Sequence, residues 1–195
     1  MMKKNLTFFI ILIVIISIGS LYGILHNMIT YRISPEYYNK NLFYTFGVLE
    51  IDTYPKEYTE KNAPSNPLFE ISKIGVIGSS VYSLIYGLII AFVNLIHKQN
   101  KRYLKISIKS CLIIILVSTI AGLIGYIYGS YFFVSEVNEM EYNKDNFIKV
   151  IDYKNFLTVN IIRSYSIIGS FLGLFIVIIY SIRQKTNKNF VQSKG

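Results

Sequence analysis

A chain of 195 residues, 52% of them hydrophobic and with a positive mean hydropathy, is too apolar for a single water-soluble core, which would still need a polar surface. Its apolar side chains must face lipid. The formal charge of +9 does not mark a nucleic-acid binder, because the basic residues gather beside apolar blocks, where membrane topology accounts for them.

The apolar residues fall into four blocks of about twenty, the number that crosses roughly 30 Å of hydrocarbon at 1.5 Å per residue. The expected fold is all-α: a polytopic four-helix transmembrane bundle with two extracytoplasmic loops, one integral membrane domain over residues 1–195. The first span is expected at about 6–25. Lys3 and Lys4 before it, and the small residues Ser17 and Gly19 within it, also suit a cleaved signal peptide. The apolar run continues to Leu25, longer than a usual signal core, and so favours a retained anchor.

An external loop over 26–73 follows. Ser34-Pro35-Glu36 reads as a helix start: serine caps free amides, proline suits the first helical position, and glutamate suits the positive helix end. Gly47 supplies the stop. Between them Tyr38, Leu42 and Phe46 recur at four-residue spacing, flanked by Tyr37, Phe43 and Tyr44. This aromatic side is expected at the membrane interface, covering the outer ends of the bundle. Residues 50–67 are charged, hold three of the four prolines, and read as an exposed loop.

The second span is expected at about 74–96, followed by a short basic cytoplasmic loop over 97–105 and a third span at about 106–130. Lys109 lies one turn inside the third span and can snorkel to the headgroups. Cys111, the lone cysteine, has no second Cys or nearby His with which to share a metal and reads as a small packing residue. His26 and His97 fall at opposite ends of the membrane and share no site. Tyr126, Tyr128, Tyr131, Phe132 and Phe133 place further aromatics at the interface, and in the external loop over 131–155, Phe147, Val150 and Ile151 suggest a short apolar face.

The fourth span, at about 156–182, is expected to start near Asp152 or Asn155, both good capping types. Arg163 then lies two to three turns along it. The first reading is an arginine snorkelling to lipid phosphate, and the second an ion pair with Glu36. Glu36, Tyr37, Tyr38, Arg163 and Tyr165 make up a candidate outer-face cluster. The tail over 183–195, polar and basic from Gln184, is expected to be disordered.

Basic residues near membrane helices remain on the cytoplasmic side. Here they cluster before the first span, between the second and third, and after the fourth, while all the acidic residues lie in Glu36–Glu70 and Glu136–Asp152. The expected location is the cell membrane, with both termini cytoplasmic.

In lipid, helices associate where small side chains let backbones approach. The second span carries Gly75, Ser79, Ser83, Gly87 and Ala91 at four-residue spacing. The third has Ala121, Gly125 and Gly129 beside Ser118 and Gly122, the fourth has Gly169 and Gly173 with Ser166 and Ser170, and the first has Gly19 and Gly23. These faces are read as helix-packing contacts, with a substrate path lined by glycine and serine as the alternative.

The segment YRISPEYYNKNLFYTFGV resembles a signature of uncharacterised bacterial four-helix membrane proteins, as do AGLIGYIYG in the third span and VNIIRSYSIIGSFLG in the fourth. The group has no established activity, so the resemblance implies a fold and topology and no chemistry. Arg163-Ser164 stands where that group has a His-Asn pair, and Tyr82, Leu84, Ile85 and Tyr86 stand where it has tryptophans.

No HExxH, GxSxG or Gly-rich phosphate loop is present, and no pair of carboxylates lies within a span. The leading expectation is a non-enzymatic protein acting through helix or loop contacts with other membrane components. The runner-up is a small transporter or channel subunit framed by oligomerised second and third spans. A membrane enzyme would need Glu36, Asp52 or Asp152 to gather with Arg163. No cofactor, metal or nucleic acid is expected. The partners are the bilayer and either another membrane protein or a second copy. A polar cavity reaching the mid-plane would favour transport, and a tightly filled bundle the contact role.

Overall fold

The structure, a computed structural model, describes residues 4–48, 64–133 and 150–192. The expected loop at 50–63, the second-loop residues 134–149 with Phe147, and Asp52 lie outside the described residues. The fold is all-α. Helix α1 (Lys4–Ile33) leads through a short helical segment, α2 (Pro35–Tyr37), a π turn (Tyr38–Leu42) and α3 (Phe43–Thr45), to α4 (Pro67–Asn94). Helix α5 (Asn100–Tyr128), a second π turn (Gly129–Phe133) and α6 (Tyr153–Gln192) complete it. Four of these helices are long and apolar enough to cross a membrane, which makes the chain a multi-pass membrane protein.

Every long helix overruns its expected span. At 30 residues α1 reaches about 45 Å, half as long again as the hydrocarbon is thick. Helix α4 begins at an Asn66 cap, whose Oδ1 accepts from the Phe69 amide at 3.3 Å, with Pro67 in the first position. Helix α6 begins where expected: Asp152 Oδ1 accepts from the Asn155 amide at 3.2 Å. Its other end departs from expectation, since the polar tail continues helical to Gln192. Neither Gly nor Pro stands between Gln184 and Gln192 to stop it.

The four long helices make two close antiparallel pairs, α1 with α4 and α5 with α6. In the first, Gly19 faces Ser83 and Gly23 faces Ser79 and Gly75, so two small stripes mesh. In the second, a Cβ on Gly125 would lie 2.9 Å from the Tyr165 Cβ, one on Gly129 3.1 Å from the Thr158 Cα, and one on Gly173 2.9 Å from the Ile114 Cα. Gly169 abuts Ala121 and the Val117 carbonyl. The stripes are therefore used within the chain.

The apolar side chains pointing away from the pairs, such as Ile13, Val81, Leu116 and Phe175, are exposed, as a lipid-facing surface requires. Lys109 is exposed near the α5 start, as its snorkelling role needs. Cys111 is buried.

At the end carrying His97, a polar knot ties the pairs together. Asn94 Nδ2 donates to Ser107 Oγ at 3.1 Å, Ser181 Oγ donates to Asn94 Oδ1, and Ser181 lies 3.4 Å from His97 Nε2. Lys4 Nζ donates to the Leu95 carbonyl at 2.9 Å, and Arg102 to that of Gln184. His97 is buried, and burial, then the charges of Arg102 and Lys185, hold its pKa below the ordinary 6.5. The unfolded imidazole binds a proton more readily than the folded one, so the stability that the neutral ring contributes is complete above pH 6.5 and falls as pH drops below it. Thermal unfolding in micelles should show this decline in the wild type, and His97→Gln should flatten it.

Candidate functional site

At the opposite end, the short helical segment folds as its residues dictate and then packs in an unexpected way. Ser34 Oγ accepts from the Tyr37 amide at 3.2 Å with Pro35 in the first helical position, and Gly47 takes a φ of 67° where the segment stops. The π turn shifts the register, so Tyr37, Tyr38, Leu42 and Phe43 are buried while Phe46 is exposed. These rings cover the bundle's end as expected, but as a packed core and not as lipid-facing interface residues. They meet Ile71 and Ile74 of α4 and Tyr153, Phe156, Leu157 and Val159 of α6. Tyr126, Tyr128, Tyr131 and Phe132 are exposed, as interface rings would be, and Phe133 packs onto the cluster. Val150 is buried and Ile151 exposed, so the two do not share a face.

Glu36 holds this cap to α6. Its two carboxylate oxygens accept from the Ile151 and Asp152 amides, each at 2.8 Å, and Lys40 Nζ lies 2.7 Å from Oε1. It does not make the ion pair with Arg163 that the second reading of that arginine had, because the free amides before α6 and the lysine one turn along already take its charge.

Arg163 turns into the bundle instead. It is half-buried, donating through Nη1 to Asn27 Oδ1 at 2.8 Å, with its guanidinium carbon 5.9 Å from the centre of the Tyr37 ring. Tyr38 completes the group: its hydroxyl donates to the Asn27 carbonyl at 3.0 Å and lies 2.6 Å from Thr30 Oγ1. Burial pushes the Tyr38 pKa up to about 12, against the opposing pull of Arg163 and the Thr30 hydrogen bond, so the phenol stays protonated and can donate. Of the expected outer-face cluster, Tyr37, Tyr38 and Arg163 come together. Glu36 turns to the α6 start, and Tyr165 stacks on Tyr128, 6.0 Å between centres, against α5.

Arg163 borders a cavity of about 310 Å³ between the two helix pairs. Beside it lie His26 and Asn27. Deeper come Tyr22, whose hydroxyl is 3.0 Å from Ser118 Oγ, and Tyr86, whose hydroxyl is 2.7 Å from Ser170 Oγ. Ser166 also borders the cavity, and its buried hydroxyl has no hydrogen-bond partner among the described residues. Ile15, Ile90, Cys111 and Ile114 form the floor. Between Ile15 and Asn27 the cavity runs about 18 Å along α1. Below the floor, the Ile11, Ala91, Tyr103 and Val177 side chains and the His97 knot close the passage. Tyr82 and Ile167 line the cavity and are themselves exposed, so it opens sideways between α4 and α6.

Sequence reasoning missed His26, Asn27, Tyr22 and Tyr86 as cavity residues, while the lining serines, Ser79, Ser83, Ser118, Ser166 and Ser170, were foreseen only in the alternative reading of a path lined by glycine and serine. Asn27 lay just past the expected end of the first span, and the serines sit on the helix faces that were read as contacts. Among the described residues no group of three or more His, Cys, Asp or Glu side chains could hold a metal. The chain matches no protein-family model, and no curated protein or solved structure matches it.

Proposed function

We propose that the protein is a non-enzymatic multi-pass membrane protein that holds a small molecule in the cavity between its two helix pairs, with the His97 end and both termini cytoplasmic. The observation that carries this is a cavity bordered by all four long helices in a bundle whose pairs otherwise close up at their glycines. Such a space between helices, mostly apolar with a few convergent polar groups, is the usual form of a ligand site. The cavity reaches the mid-plane, the depth a transport path would need, but it is mostly apolar there, and its sideways opening and packed floor support binding in place of conduction. The separated ionisable groups speak for binding over catalysis: Arg163 meets Asn27, while Glu36 meets Lys40. The orientation rests on the basic residues flanking the His97 end.

Gly78 provides the test. It lines the cavity, and a Cβ there would meet only the tip of Phe46, at 3.8 Å. Leucine at this position fills the space without pressing on backbone. In native mass spectrometry of protein released from membrane nanodiscs, the wild type should retain a small-molecule adduct that Gly78→Leu loses at unchanged helix content. No adduct on the wild type, or one retained equally by the variant, would overturn the cavity as a binding site.

A further inference from the structure

We infer that the cavity takes a single-chain amphiphile with an anionic head, the head on Arg163 and the chain running toward Ile90. This rests on the binding reading above and adds the chemistry of the ligand.

The head assignment follows from charge. Arg163 meets the neutral oxygen of Asn27 and the face of Tyr37. The three carboxylates among the described residues are engaged elsewhere: Glu36 with Lys40, Glu70 with Lys73, and Asp152 at the α6 cap. A guanidinium carries five N–H donors in a fork that fits a carboxylate or phosphate, and beside a low-dielectric cavity that fit is worth more than in water.

The chain assignment follows from depth. Ser164–Ile182, the apolar run that starts directly after Arg163, spans about 28 Å, close to the thickness of the hydrocarbon. The guanidinium therefore sits at the level where lipid heads meet lipid chains. Polarity then falls away along the cavity, from Asn27 through Ser118 to Ile90 and Ile114. An amphiphile already in the leaflet can enter sideways past Tyr82 and Ile167 with its head at the same level throughout. A volume of 310 Å³ is at the small end for ligand sites, about 300–1,000 Å³, which suits one chain and not the two of a phospholipid.

The protein in phosphatidylcholine nanodiscs, titrated with dodecanoate, dodecyl phosphate, dodecanol and inorganic phosphate, tests this, with partition into empty discs subtracted. The two anionic amphiphiles should bind at least about tenfold more tightly than dodecanol, the scale of one charge-assisted hydrogen bond, and far more tightly than inorganic phosphate. Arg163→Gln should bring the anions down to the dodecanol level and leave dodecanol unchanged, and Arg163→Lys should recover part of the difference. Gly78→Leu should weaken all three chains. Dodecanol binding as well as dodecanoate, or an anion preference that survives Arg163→Gln, overturns the head assignment and leaves the cavity reading standing. Inorganic phosphate binding as well as dodecyl phosphate overturns the chain assignment. Chains that fail to bind overturn the amphiphile assignment while a Gly78-dependent adduct keeps the cavity reading, and chains that bind equally to Gly78→Leu lie outside the cavity and overturn both.

Discussion

Glu36→Ala is expected to remove about 3–5 kcal/mol of stability, the range for breaking a buried ion pair by deleting one partner. The Lys40 and Glu36 side chains are only 1% and 6% exposed, so the lysine would be left buried without its carboxylate. The Ile151 and Asp152 amides would lose their acceptor as well. Lys40→Met should cost less, because the carboxylate keeps both amide bonds. Glu36→Gln should fall between, since an amide has one accepting oxygen for two donors. Unfolding of the three variants in mixed micelles checks the order, and a loss below about 1 kcal/mol for Glu36→Ala would mean that water replaces the pair. The effect should spread to the cavity, because the segment Glu36 anchors also carries Tyr37 and Tyr38, which seat the Arg163 guanidinium and its Asn27 partner. Glu36 is thus a structural clamp that orders the mouth of the site.

How these elements could be read from residues alone follows the range of the forces involved. The Ser34 cap, the Gly47 stop and the Asp152 start are set by neighbours within a few positions, and all three stand where their residue types put them. Four spans were legible because hydrocarbon thickness selects for length and apolarity. The ends of the helices were not, because packing in the cap cluster extends α1 and α4 beyond their apolar blocks, and hydropathy does not report packing among polar and aromatic groups. Tyr37 and Tyr38 illustrate this: interface residue and buried cap residue have the same composition, and the π turn decided between them. Arg163 was correctly singled out as unusual within an apolar stretch. Its partner was not foreseeable, since Asn27 and Arg163 meet only through the way α1 and α6 face each other across the two pairs.

The stripes of small residues were legible as contacts, yet spacing alone does not rank them, and the second large effect lies in that ranking. Gly75→Leu is expected to destabilise the protein by about 3 kcal/mol or more, at the upper end for overpacking. A Cβ there would lie 2.9 Å from the Gly23 carbonyl carbon and oxygen and from the Ile24 Cα, all backbone atoms that no rotamer change can move. The two helices would have to separate. Gly87 belongs to the same stripe, but its Cβ would meet the Ile15 and Leu12 side-chain methyls at 3.3 and 3.4 Å, which can yield. The alanine variants separate the two causes. Alanine gains about 1 kcal/mol over glycine in helix propensity, so Gly87→Ala should be close to neutral or stabilising, whereas Gly75→Ala should still destabilise. Detergent-titrated unfolding of the three variants measures this directly, and equal effects of alanine at both positions would refute a backbone contact at Gly75. Because Gly75 also borders the cavity, opening the α1–α4 pair there would widen the site as it weakens the fold. The same close approach that joins these helices thus sets one wall of the space between the pairs.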